Sequence, residues 1–362
     1  MPRLRNFYAG PAALPTEVLE QARGELLDFQ SSGVSVMETS HRSKEYDQVH
    51  NDVVSLVKEL MGLGDNFKVC MLQGGASMQF AMVPMNLLAE GKSADYLVTG
   101  SWSKKAIKEA KIIGSAKVAA TTENDGVFTA IPKADQIDLD PKAVYCHITS
   151  NNTIYGTQWQ SFPDTGTVPL VADMSSDILS RTFDPNPFGI IYAGAQKNLG
   201  PSGVALVIIR DDILELCSKN LPTLLQYQTH VDKNSLYNTP PTFGIYMMNK
   251  VLNWIKARGG VAAVQQENEQ KAKLLYDAID NSNGYYKNTI APEDRSAMNV
   301  VFNLANEDLE KKFVTDGLAA GFVGLKGHRS IGGIRISMYN ANRLDAVEEV
   351  VKFMNDFADQ NS

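Results

Sequence analysis

Lys197 is the one lysine in the stretch "IIYAGAQKNLGPSGVALVII" at residues 190–209, where it sits in a short polar turn between two apolar runs. An ammonium beside a core is costly unless it is paired, neutralised or used covalently. The bland alternative is a lysine that snorkels from its turn into water. Asp173 poses a similar question at the end of the apolar run "VPLVAD", where a carboxylate must be paired or hydrogen-bonded to stay charged. Ser175 and Ser176 stand close enough in sequence to be structural partners for it.

Three further stretches carry chemistry. In "MLQGGASMQF", Gly74-Gly75 turn the chain out of a strand, and Ala76-Ser77 open a helix. Such a start offers exposed N–H groups to a phosphate, with the Ser77 hydroxyl as an added donor. It is neither a Walker loop nor a dinucleotide fingerprint. Trp102 follows a strand in the first turn of a helix, where its ring could stack on a heterocycle or simply pack the helix down. The cluster from Thr149 to Thr153 could be turn chemistry, or could place the Thr153 hydroxyl on a ring substituent. One cofactor asks for a phosphate cradle, a stacking indole, a hydroxyl, a buried acid and a lysine together. That cofactor is pyridoxal 5'-phosphate, whose aldehyde condenses with a lysine and whose ring nitrogen needs a carboxylate to stay protonated.

These residues share a position in the pattern of elements. Seven short apolar runs, at 67–72, 95–100, 115–121, 143–149, 168–174, 190–193 and 204–209, alternate with helical segments. Near-continuous apolar runs indicate strands covered on both faces, so an α/β fold with a mostly parallel sheet between helices is expected. In such sheets, chemistry gathers at the C-terminal strand ends. Helices are expected from Thr16, as N-cap, to Phe29, and from Ser43 to Met61. Beyond about residue 260 the character changes to a smaller α+β pattern. The expected division is an N-terminal arm, 1–15, packing with the small domain; a large cofactor-binding domain, 16–260; and a small C-terminal domain, 261–362.

Composition narrows the function classes. With 34 lysines and arginines against 41 acids, the net charge is −7, so no basic surplus drives nucleic-acid or membrane binding. Three unpatterned cysteines argue for a reducing, cytoplasmic setting and against a disulfide or metal framework. There is no signal-peptide core and no run of eighteen apolar residues.

Asp173, followed by Gln196-Lys197 and "GPSG", resembles the class V group of fold-type I aminotransferases. More narrowly, "FYAGPAALP", "SHRSKEY", "YAGAQKNLGPSG", "YNTPPTF" and "GHRSIGGIRISMYNA" are together similar to the phosphoserine aminotransferase family, across essentially the whole chain. The resemblance implies that Lys197 holds the cofactor covalently. It implies cofactor contacts from Ala76, Ser77, Trp102, Thr153, Asp173 and Gln196, and from Asn238 and Thr239 of the neighbouring subunit in a homodimer. Its reaction moves the amino group of L-glutamate to 3-phosphohydroxypyruvate, and the family also commonly accepts a phosphorylated 4-hydroxythreonine.

The substrate side follows partly from chemistry. An α-carboxylate calls for an arginine fork, and a distal phosphate for further cations. By analogy Arg335 takes the α-carboxylate, and Gly332-Gly333 let the loop before it bend. Arg42 would help hold substrate, with His41, His328 and Arg329 at the phosphate, partly across the dimer interface. A cysteine desulfurase would need a nucleophilic cysteine on a mobile loop, and 320–333 contains none. A non-catalytic scaffold would not need both Lys197 and Asp173. An aminotransferase for unphosphorylated substrates, such as serine or alanine with glyoxylate, stays open as an alternative.

Overall fold

The computed structural model describes residues 3–361. Its centre is a sheet of seven strands: β1 (Phe67–Leu72), β2 (Ser93–Val98), β3 (Ser115–Thr121), β4 (Cys146–Thr149), β5 (Leu170–Asp173), β6 (Phe188–Gly194) and β7 (Ala205–Arg210). They lie in the order β1-β7-β6-β5-β4-β2-β3. Strand β7 runs antiparallel to both of its neighbours, and the remaining pairs are parallel. The expected mostly parallel sheet is therefore present, and the seven apolar runs are its strands.

The apolar runs are continuous because helices cover both faces. Helices α1 (Thr16–Glu25), α2 (Lys44–Met61) and a later apolar helix, Thr242–Ala257, pack on one face with Val53, Val57, Leu170 and Ile208 in a single cluster. Helices α3 (Gly75–Leu87) and α4 (Ser101–Ile113) cover the other face, with Val83, Ile107, Val171 and Tyr192. Helix α2 shows why these segments coil. Val49, Val53, Leu56 and Val57 repeat at helical spacing and are buried, Ser43 accepts from the Tyr46 N–H, and Gly62 ends the helix in the left-handed region.

The later apolar helix, α5 (Thr242–Ala257), leads through Gly259 into the C-terminal elements, which share a third cluster. Helices α6 (Gly260–Asp280), α7 (Glu307–Ala319) and α8 (Leu344–Asn361) surround the antiparallel pair β8 (Asn299–Phe302) and β9 (Ile334–Ser337). Phe7 of the N-terminal segment is buried in that cluster, and Arg5–Asn6 pair with Phe322–Val323.

Helix α1 differs from expectation. Thr16 is its first residue and not its cap, because its hydroxyl accepts from Arg3. The helix ends at Glu25, not Phe29, and Asp28 adopts extended backbone (φ −143°, ψ 92°), so Phe29 falls in a separate short turn.

Candidate active site

The C-terminal ends of β1, β4, β5 and β6 open on one cavity of about 360 Å3. Ala76, Ser77, Trp102, Thr153, Asp173, Gln196, Lys197, His328 and Arg335 all line it. The sheet brings them together because each parallel strand delivers its exit loop to the same edge.

Lys197 does not snorkel into water. Its Nζ donates to Thr153 Oγ1 at 2.9 Å, and burial lowers its pKa from 10.5 to about 8. Asp173 opposes that shift and Arg335 adds to it. The turn that carries Lys197 is tight, with the N–H groups of Lys197, Leu199 and Gly200 all donating to the Ala195 carbonyl. Asp173 is held from below by the main-chain N–H of Ser175 at 2.9 Å and its hydroxyl at 2.6 Å. Burial pushes the Asp173 carboxyl upward, while the two Ser175 bonds and Lys197 pull it back. Ser176, the other serine considered as its partner, bonds Asn151 instead.

Helix α3 begins with two consecutive left-handed glycines, Gly74 (φ 84°) and Gly75 (φ 62°), where other residues would be strained. The turn-opening bond runs from the Met78 N–H to the Gly74 carbonyl. The N–H groups of Gly75, Ala76 and Ser77 thus precede the helical ladder, and all three residues line the cavity. A Cβ built at Gly75 would meet nothing within 4 Å.

Arg335, on β9, donates through Nη1 to the Thr153 carbonyl at 3.3 Å, and burial lowers its pKa. Gly332 and Gly333, both with positive φ, turn the chain into that strand. His328 joins the cavity rim with its Nδ1 against Ser330 Oγ. Partial burial lowers its pKa, and Arg335, Arg329 and Lys105 lower it further.

Five candidates lie elsewhere in the chain. Arg329 points into an adjoining hollow with Lys326 and Glu310. Asn238 lines a separate hollow on the far side of the Gly74 turn, and the Thr239 carbonyl accepts from Gln73 Nε2. Arg42 is exposed and His41 half-buried just ahead of α2.

Other lining residues were not among the candidates. Ala9 and Gly10 of the N-terminal segment reach the cavity beside Lys197, and Phe80 and Ile154 supply apolar wall. Asn151 belongs to a buried chain of hydrogen bonds through Asn299 to Ser337 and Tyr339, whose hydroxyl donates to the Ala9 carbonyl. These residues meet only through tertiary folding.

Polar groups left open in this region suit a pyridoxal phosphate. Trp102 Nε1, Thr149 Oγ1 and Arg335 Nε are buried and have no hydrogen-bond partner among the described residues. With an anion cradle, a buried acid and an amine of lowered pKa, the donor set matches the phosphate, ring nitrogen and aldehyde of that cofactor. Fold and cavity together define the class: pyridoxal-phosphate-dependent aminotransferases of fold-type I.

The family model for class-V aminotransferases matches residues 5–350. The phosphoserine aminotransferase of Lysinibacillus sphaericus (strain C3-41) is 59% identical over 355 residues, 98% of each chain. The solved phosphoserine aminotransferase from Bacillus circulans subsp. alkalophilus superposes with a TM-score of 0.97 at 55% identity, covering 99% of both chains. That of Trichomonas vaginalis, solved with pyridoxal phosphate bound, gives 0.93 at 40% identity over 98% of this chain and all of its own. The chain belongs to the class-V aminotransferases and, within them, to the phosphoserine aminotransferase family.

Proposed function

We propose that this chain exchanges an amino group between L-glutamate and 3-phosphohydroxypyruvate, giving O-phospho-L-serine and 2-oxoglutarate, as a step of serine biosynthesis. The observation that carries this reading is the placement of Lys197, with its lowered pKa, in one cavity with Asp173, Arg335 and His328. When bound, pyridoxal phosphate supplies an aldehyde that takes up the amino group and a ring that draws electrons from the substrate Cα.

The side chains take distinct roles. Gly75, Ala76 and Ser77 would hold the phosphate through main-chain N–H groups and a hydroxyl, and Trp102 would offer its ring face to the cofactor. Asp173 would hold a proton on the ring nitrogen, and Thr153 would orient a ring substituent. Gln196 sits beside Lys197 and completes the cradle. Arg335 fixes the α-carboxylate in a bidentate fork, which sets the face the Cα–H presents. The neutral amine of Lys197 would take the α-proton of the amino donor and deliver it to the former aldehyde carbon of the bound cofactor within the same half-reaction. With the oxo acid it would run the same two transfers in reverse. An amine that titrates near 8 is available for this close to neutral pH, which an ordinary lysine is not.

Recognition of the distal phosphate falls to His328 and Arg329, joined by His41, while substrate is held also by Arg42. The last two lie outside their own chain's cavity, as do Asn238 and Thr239. Two copies of the chain, each lending these four residues to the other, account for that placement. Residues 16–260 then form the cofactor-binding domain and 261–362 the smaller one, with the arm 1–15 docked on it. Three buried free cysteines suit a reducing cytoplasm. No helix among the described residues is long and apolar enough to cross a membrane.

The deciding experiment compares 3-phosphohydroxypyruvate with hydroxypyruvate, each with glutamate. The expected kcat/KM favours the phosphorylated substrate by about 100-fold or more, the worth of two charge-assisted hydrogen bonds. Equal turnover would assign the chain to unphosphorylated substrates.

A further inference from the structure

Four of the residues that do not reach their own chain's cavity depend on one helix. His41 and Arg42 lead into α2 through its Ser43 cap. Asn238 and Thr239 follow a turn at Asn234-Ser235 that packs against the middle of the same helix. Asn234 (φ 46°) and Ser235 (φ 61°) are successive non-glycine residues in the left-handed region. Such backbone persists only where its surroundings impose it, and it concentrates where function needs it.

The surroundings here are specific. His50 Nε2 donates to the Asn234 carbonyl at 2.7 Å, and Asn234 Nδ2 donates to Asn51 Oδ1 at 3.0 Å. Ser235 Oγ accepts from the Met71 N–H at 2.9 Å, and Gln73 Nε2 donates to the Thr239 carbonyl at 3.1 Å. His50 is fully buried, and its Nδ1 has no hydrogen-bond partner among the described residues. A carbonyl only accepts, so Nε2 carries the proton and Nδ1 is a bare acceptor. As core filling, this is a poor choice, since an apolar side chain would bury no unpaired ring nitrogen. What the imidazole does and an apolar side chain cannot is hold the Asn234 carbonyl.

The segment it holds lies beside the cofactor cradle. Gly75 and Ser77 face the cavity of Lys197, while Gln73, Gly74 and Met78 face the hollow lined by Asn238. One helix start thus separates a chain's own cradle from the residues it would lend.

We infer that His50 is a positioning residue, whose bond to Asn234 holds the strained turn so that Asn238 and Thr239, with His41 and Arg42, form one rigid unit offered to the cavity of a second copy. This rests on the proposed sharing of sites between two copies.

The test uses the dissociation constant of pyridoxal phosphate, measured by equilibrium dialysis. His50→Leu weakens binding by about tenfold or more, while His50→Gln, which keeps an N–H donor, stays within about threefold of wild type. Asn51→Ala, at an exposed position that cannot disturb the core, weakens it a few-fold; with His50→Gln it decides the matter if His50→Leu does not fold. Mixed dimers of His50→Leu with Lys197→Ala then separate the two subunits. The site that keeps Lys197 receives an intact 234–239 segment from its partner, so its affinity returns to the wild-type value. Unchanged affinity in His50→Leu, glutamine no better than leucine, or a defect that persists in the mixed dimer would overturn the role. Sedimentation of the wild type as a monomer would instead overturn the sharing of sites, and the role with it.

Discussion

Lys197 and Arg335 converge on a single residue: the lysine Nζ donates to the Thr153 side chain at 2.9 Å, and the arginine Nη1 to the Thr153 carbonyl at 3.3 Å. One cation comes from the loop after β6 and the other from β9, far apart in sequence. Thr153 therefore ties together the amine proposed to move a proton and the guanidinium proposed to bind a carboxylate.

Loss of the amine should remove the proton carrier. Lys197→Ala is expected to lower kcat by about 1,000-fold or more, in line with the usual worth of general acid–base catalysis. Steady-state turnover with glutamate checks this, and circular dichroism should show an unchanged fold.

The charge of Asp173 matters more than its volume. Asp173→Asn keeps an acceptor for the Ser175 N–H but leaves the ring nitrogen without an anion, so kcat should fall by about 100-fold. Thermal stability of the unloaded chain should hold or rise, because a buried charge has been removed.

The lowered pKa of Lys197 has a sign in stability. Folded, the amine titrates at about 8 rather than 10.5, so between these values the unfolded chain binds more protons. The unloaded chain should gain stability as pH rises from 8 to 10.5, and below 8 carry the whole cost, roughly 3 kcal/mol. Lys197→Met should therefore be more stable than wild type at pH 7, with the difference gone near pH 11, by urea unfolding. Labelling of Lys197 by an amine-selective reagent should show a midpoint near pH 8, and Arg335→Leu should move that midpoint upward.

A bidentate fork is specific to arginine. Arg335→Lys should lower kcat/KM for glutamate by about 30-fold and Arg335→Leu by about 100-fold or more, while cofactor affinity changes little. Equal losses in cofactor binding would place Arg335 in the cradle instead.

Lys271 tests the frame behind the site. Its amine is fully buried, which lowers its pKa to about 7, and it donates to the carbonyls of Met338, Tyr339 and Asn342, just beyond the strand that carries Arg335. Lys271→Met fills the space but leaves three acceptors unpaired, and near pH 10.5, where ionisation of the lysine no longer opposes folding, it should destabilise the chain by about 3 kcal/mol in urea unfolding at unchanged m-value.

Legibility varied with how local the cause was. Helix α2 can be read from its period and its Ser43 cap, and β3 to the residue, because side-chain spacing alone makes those elements. Helix α5 carries no such signal: "TFGIYMMNKVLNWIKA" is apolar around most of its circumference, being packed between α2 and α6, so its period is blurred. The end of α1 falls short of expectation because the extended backbone at Asp28 leaves no mark in residue type. At the site, the lysine, acid and glycine turn announce themselves as costly residues beside apolar runs. Ala9, Gly10, Asn151 and the Asn299–Tyr339 chain do not, since nothing about an asparagine or alanine says which distant strand it will meet.

What the order of residues determined by itself is the chemistry on offer: which polar groups stand at strand ends, and the cofactor able to use all of them. Each of those signals lies within a few residues of its cause. Tertiary structure alone decided the distances, the burial that lowers the Lys197 pKa, and the exclusion of His41, Arg42, Asn238 and Thr239 from their own cavity. Desolvation and long-range packing sum over the whole fold, and no local stretch contains them.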